Sequence, residues 1–146
     1  MWKGSPMFAF RTRVRLHHTD AAGLLFYGNI FMLAHDAYEE FLQTIDMGIE
    51  DLLKSEFILP IVHAEADYRK PIGVGKTLMV SVDVLSLGKT SFVLGYRFSD
   101  TEDTTIATAQ TVHVSMSIET RKKIDLPETL AARLKNLIGH PPSGMR

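Results

Sequence analysis

FAFRTRVRLHHTDAAGLLFYGNIFMLAHDAYEEFLQTID, residues Phe8 to Asp46, changes its period once, and that change sets the fold class. From Phe8 to His17 the residues alternate, with Phe8, Phe10, Thr12, Val14 and Leu16 on one side and Arg11, Arg13, Arg15 and His17 on the other. A period of two belongs to a strand with one buried face. His18 to Gly23 breaks the alternation with Thr19, Asp20 and Gly23, and apolar residues return at Ile30, Ala34, Ala37, Phe41 and Ile45. Steps of three and four residues are helical. The spacing predicts a long helix over about Gly28 to Asp46, with His35, Asp36, Glu39, Glu40 and Gln43 elsewhere around it.

Downstream, Gly48 is the expected stop of that helix, and Ile49 to Ser55 reads as a short second one. After Pro60, strands are expected over Ile61 to Tyr68 and Thr77 to Leu87, with Leu78, Val80, Val82 and Val84 sharing one face of the latter. Gly88 and Lys89 make a turn, and Thr90 to Ser99 with Thr104 to Ser117 form an antiparallel hairpin around the polar Asp100 to Asp103. Pro127 opens an amphipathic helix carrying Leu130, Ala131, Leu134, Leu137 and Ile138, and the His140 to Arg146 tail is expected to fray. Strand, long helix and then four strands make an α+β fold, the helix lying on one face of a five-stranded antiparallel sheet. A single domain over 1–146 is expected, with its core over about 8–117 and the terminal helix over 127–138. Such a sheet leaves edges and apolar area to cover, for which dimerisation is the usual remedy.

Composition narrows the function. The 146 residues are 45% hydrophobic and 23% charged, which is globular usage. Sixteen Lys and Arg against seventeen Asp and Glu leave a net charge of −1, with no global basic field for nucleic acid or anionic membrane. The chain has no cysteine, which removes disulfides, thiolate ligands and cysteine nucleophiles. Met1 to Met7 contains no apolar run of signal-peptide length, and charges, Gly or Pro interrupt every later apolar stretch, so a soluble cytoplasmic protein without a membrane span is expected.

Common cofactor signatures are missing. Gly73 and Gly75 stand one residue apart before Lys76-Thr77, which opens a strand and not a helix, so the spacing and context of a phosphate loop both fail. His17 and His18 are adjacent and in a strand would face opposite sides, while His35, His63, His113 and His140 are scattered without a chelating interval. No metal and no cofactor is expected. Asp20 is the residue with two readings: it lies in a loop just before Leu24, Leu25 and Phe26, where a carboxylate is either a turn and capping group or a reactive one.

The run Thr19-Asp20-Ala21-Ala22-Gly23-Leu24-Leu25-Phe26-Tyr27, followed by Asn29, resembles the active-site signature of the 4-hydroxybenzoyl-CoA thioesterase family of hotdog-fold proteins. The resemblance covers about Phe8 to Ser117. Within the family, His35-Asp36-Ala37-Tyr38-Glu39 and Leu59-Pro60-Ile61-Val62-His63-Ala64 are most similar to thioesterases acting on 1,4-dihydroxy-2-naphthoyl-CoA in menaquinone and phylloquinone biosynthesis. The resemblance implies that Asp20 is the catalytic carboxylate, as nucleophile or as general base, that the backbone N–H of Tyr27 helps bind the thioester oxygen, and that two subunits form each site. It also departs from the family pattern. His18 stands two residues before Asp20, where many members are acidic, and His35 stands where many have Glu or Asp on the helix.

His35 and Glu39, four apart on one helical face, are candidates to orient substrate, with a solvated pair as the alternative. His63 is a candidate to line an aryl pocket. The phosphates of CoA need local cations, available at Arg69-Lys70, at Lys89-Thr90-Ser91 and at Arg121-Lys122-Lys123, of which the resemblance favours Lys89, Thr90 and Ser91. The expected protein is an aromatic acyl-CoA thioesterase, a homodimer or homotetramer. A short-chain or acyl-carrier-protein thioesterase and a non-catalytic acyl-CoA-binding domain are the alternatives.

Overall fold

The computed structural model describes residues 8–138; the Met1 to Met7 segment and the His140 to Arg146 tail lie outside the described residues. Strand β1 (Phe8–Arg13) pairs antiparallel with β4 (Thr77–Leu87), which pairs with β5 (Ser91–Ser99), then β6 (Thr105–Val114), then β3 (Ile61–Tyr68). Helix α1 (Ile30–Thr44) lies on one face of this five-stranded sheet. Alternation decides which face: Leu78, Val80, Val82 and Val84 of β4 and Phe92, Leu94, Tyr96 and Phe98 of β5 are buried in one cluster with Leu33, Ala34, Ala37 and Phe41 of α1.

The predicted strand to His17 ends early. Leu16–His18 is a 3-10 turn in which the Arg15 N–H donates to Nδ1 of His18 at 2.9 Å. A local acceptor for that N–H replaces a ladder partner, and Leu16, expected on the buried side, is 77% exposed. Tyr27–Asn29 is likewise a 3-10 turn, so α1 begins at Ile30 and not at Gly28. At its other end α1 stops at Thr44, and Asp46 takes the left-handed conformation, φ 57°, that the sequence reading reserved for Gly48. Gly48 instead opens α2 (Ile49–Leu53).

The run expected from Thr104 to Ser117 is broken. Ser115 donates its N–H to the Thr90 carbonyl at 2.8 Å, and beyond it β7 (Met116–Ser117) pairs with β2 (Phe57–Ile58), a two-stranded sheet the pattern did not disclose. Helix α3 (Glu128–Ile138) buries Leu130 and Leu134. Its Arg133 reaches back to cap α1, Nη1 donating to the Ile45 carbonyl at 2.6 Å. Among the described residues strand β3 pairs with β6 alone, which leaves its other edge open there, and every β3 residue except Ala66 is exposed.

Candidate active site

The Asp20 loop is built by backbone bonds. Asp20 donates its N–H to Leu24 O and Gly23 donates to Asp20 O, closing a tight reversal with Gly23 at φ +75°, a conformation that glycine adopts without strain. The 71–76 loop clamps it from outside. Leu25 N–H donates to Ile72 O, Val74 N–H to Gly23 O, and Gly75 N–H to Val14 O. The Gly73 and Gly75 segment thus serves as a brace for the Asp20 loop.

Both readings of Asp20 have a structural counterpart in the one carboxylate. Its Oδ1 accepts the N–H groups of Ala22 at 2.8 Å and Leu24 at 3.2 Å, the turn-forming role, while the residue stays exposed and Oδ2 accepts no hydrogen bond among the described residues. The 3-10 turn that follows starts with Tyr27 and Gly28, whose N–H groups find no acceptor among the described residues. First-turn N–H groups have no intrahelical partner and carry the positive end of the helix dipole. Asn29 ties the two halves together, its Nδ2 donating to the His18 carbonyl at 2.8 Å.

His18 has a structural role. It is buried, its Nδ1 accepts the Arg15 N–H, and its pKa is lowered by desolvation and by neighbouring His17 against the opposing pull of Asp36, which keeps that acceptor unprotonated. His17 and His18 do not face opposite sides, because in the turn their rings lie 4.1 Å apart between centroids.

The other candidates are dispersed. His35 and Glu39 form an exposed pair on α1, Nε2 to Oε2 at 3.3 Å. His63 pairs with Glu65 on β3 at 2.8 Å. Register puts Glu65 opposite Gln110 and Gln110 opposite Gly95, on the sheet face turned away from α1, so His63 and His35 lie on opposite faces of the same chain. Lys89 is exposed, 3.9 Å from Asp125, at the turn after β4, with Thr90 and Ser91 beside it. The Asp20 loop is braced at the other end of β4, about 30 Å away along an eleven-residue strand. A groove of about 470 Å³ on the outer face, lined by residues including Glu65, Asp67, Arg69, Arg97 and Gln110, holds Arg69 of the candidate cation clusters but not Asp20, Tyr27, His35, Glu39, His63 or the Lys89 turn.

Sequence reasoning passed over Tyr68 and His113. The Tyr68 hydroxyl donates to the Tyr27 carbonyl at 2.5 Å. His113 is fully buried, stacked on Phe92 and against Tyr38, with Nε2 2.7 Å from Thr111 Oγ1, which in turn meets the Tyr96 hydroxyl at 2.9 Å. Nothing in strand periodicity distinguishes a histidine that closes such a network from one on a surface. Among the described residues no cluster of three or more His, Asp or Glu could hold a metal ion, and no helix is long and apolar enough to cross a membrane.

A long helix wrapped on a five-stranded antiparallel sheet, with a carboxylate loop leading into the turn that opens the helix, defines the hotdog class of thioester-handling proteins. The sequence profile of the thioesterase-like superfamily matches residues 14–134, and the chain belongs to that superfamily. It is 34% identical over 125 residues to the 1,4-dihydroxy-2-naphthoyl-CoA hydrolase of Synechococcus elongatus, a match covering 84% of this chain and 91% of the relative. The crystal structure of a 1,4-dihydroxy-2-naphthoyl-CoA thioesterase from Synechocystis superposes with a TM-score of 0.84 at 30% identity, covering 92% of this chain and 98% of the other. A DHNA-CoA thioesterase from Staphylococcus aureus shares the fold at 20% identity, TM-score 0.77, over 81% of this chain and 79% of its own.

Proposed function

We propose that the protein hydrolyses an aromatic acyl-CoA, 1,4-dihydroxy-2-naphthoyl-CoA, with Asp20 as the catalytic carboxylate. The observation that carries the reading is the pairing, in one braced loop, of a carboxylate with one free oxygen and a turn whose first N–H groups lack acceptors. Oδ2 of Asp20 either attacks the thioester carbonyl carbon, expelling CoA thiolate to leave a mixed anhydride that water opens, or takes a proton from the attacking water. Both routes put negative charge on the thioester oxygen. Fixed N–H donors at a helix start stabilise that charge more than they stabilise the neutral carbonyl.

The open β3 edge, with Ile61 and Val62 exposed beside it, supports a dimer formed by pairing β3 with its copy. A two-fold axis between antiparallel β3 strands would bring the Lys89 end of one sheet to the Asp20 end of the other. The Lys89, Thr90 and Ser91 turn therefore serves the CoA phosphates of the second subunit's site, which removes the conflict of a 30 Å separation, about one β4 length, within one chain. A two-fold normal to the sheet keeps both helices on one face, so His35 and Glu39 on the α1 side are the pair that meets ring hydroxyls in this reading, while His63, on the outer face of either subunit, is left out of it.

Substrate competition tests it. Hydroxynaphthoyl-CoA should exceed medium-chain fatty acyl-CoA in kcat/KM by roughly a hundredfold, since a pocket built to bond a hydroxyl rejects ligands without one. Equal turnover of the fatty substrate would discard the aromatic assignment, and absence of turnover on every thioester would discard the hydrolase.

A further inference from the structure

Tyr68 is half-exposed at the end of edge strand β3, yet its hydroxyl bridges 41 residues of sequence to the carbonyl of Tyr27. The same carbonyl accepts the N–H of Ile30, so it is doubly bonded at the start of α1. The two tyrosine rings meet edge to face, centroids 6.3 Å apart at 89°. The Tyr27 carbonyl and the Gly28 N–H are two ends of one peptide group. Hydrogen bonds accepted by the carbonyl draw electron density toward its oxygen and make that N–H a stronger donor.

We propose that Tyr68 is a positioning residue for hydrolysis: by holding the Tyr27 carbonyl it orients the turn and strengthens the Gly28 N–H as a second donor, beside that of Tyr27, to the oxygen of the thioester. This rests on the thioesterase reading above. Desolvation and the neighbouring Tyr27 raise the Tyr68 pKa above the ordinary tyrosine value, so the hydroxyl remains a donor throughout the neutral range. The other contacts that shape the turn come from its own sequence neighbourhood, Asn29 to His18 and Phe26 N–H to His18 O, and neither touches the Tyr27 peptide. Among the described residues, Tyr68 alone ties that peptide to the sheet by a hydrogen bond.

Tyr68→Phe removes the hydroxyl and keeps the ring. On hydroxynaphthoyl-CoA it should lower kcat about tenfold, the scale of one well-placed hydrogen bond felt in the transition state, while KM stays within about twofold. A packing role would lower the melting temperature without this split. A second measurement is independent of rate and of any loss of stability: infrared difference spectra of the acyl-CoA bound to Asp20→Asn should show a thioester carbonyl band shifted to lower frequency, and the double variant with Tyr68→Phe should lose most of that shift. Tyr68→Phe with wild-type kcat, or an unchanged band in the double variant, overturns the positioning role while leaving the thioesterase standing. Wild-type protein inactive on every acyl-CoA overturns both.

Discussion

In the proposed reaction Asp20 has two jobs, one for each oxygen, and a substitution can separate them. Asparagine keeps Oδ1 to accept the Ala22 and Leu24 N–H groups and loses the charge, so Asp20→Asn should fold, assemble and bind substrate as the wild type does. Its kcat should fall by about a thousandfold or more; loss of the fold by circular dichroism would instead mark Asp20 as purely a turn residue. His113 makes the opposite kind of prediction, about stability. Its pKa is lowered from 6.5 to about 4, chiefly by desolvation, with His35 adding and the Leu59 carbonyl opposing. Nδ1 has no hydrogen bond of full geometry. The unfolded chain therefore binds one proton more than the folded chain between those two values. Stability is undiminished above pH 6.5 and declines as pH falls toward about 4, by about 3 kcal/mol in all. Urea unfolding at pH 7 and pH 4.5 should show this loss, and His113→Gln should remove most of it.

At the level of elements, the two long helices are joined by a cap. The last carbonyls of α1 have no partner within the helix, and Arg133 of α3 supplies one, Nη1 meeting Ile45 O at 2.6 Å and Asp46 O at 3.3 Å. A cation at a helix C-terminus also complements the dipole. Arg133→Met keeps the aliphatic stem and should cost about 1–2 kcal/mol in thermal or urea unfolding, with kcat within twofold because the cap is at the end of α1 remote from Asp20. A loss of activity at unchanged stability would contradict this division of labour. The short elements are held differently. Strands β2 and β7 are two residues each, and β7 meets β2 just beyond the last β5–β6 rung, where the Ser115 N–H still reaches Thr90 O in the register that sets Ser91 opposite Val114.

For the whole molecule, the separation of Lys89 from Asp20 yields a test that needs no structure of the assembly. If each site draws Asp20 from one chain and Lys89 from the other, a mixed dimer of Asp20→Asn and Lys89→Ala subunits contains one site with both residues intact. Mixing the two variants should then recover roughly a quarter of wild-type kcat/KM, from half the dimers with one good site each, on statistical exchange. A dimer with both residues from one chain gives no recovery. Lys89→Ala alone should raise KM more than it lowers kcat, because a remote phosphate contact is made equally in ground and transition states.

The sequence by itself determined the long elements and the position of the Asp20 loop, because both are written in local terms. An apolar start that turns to alternation over Ile61 to Tyr68, period two over Leu78 to Val84, period three to four from Ile30, and an Asp before a glycine reversal at Gly23 each need only neighbours along the chain. Boundaries failed where His18 offers the Arg15 N–H a side-chain acceptor and where Asp46, not Gly48, takes the left-handed conformation. Only the tertiary structure decided which candidates can meet. It put His35 and His63 on opposite faces, Lys89 a strand length from Asp20, and Tyr68 on the Tyr27 carbonyl, since each of these relations depends on register between strands far apart in sequence, and register is set by the packing of the whole sheet under α1.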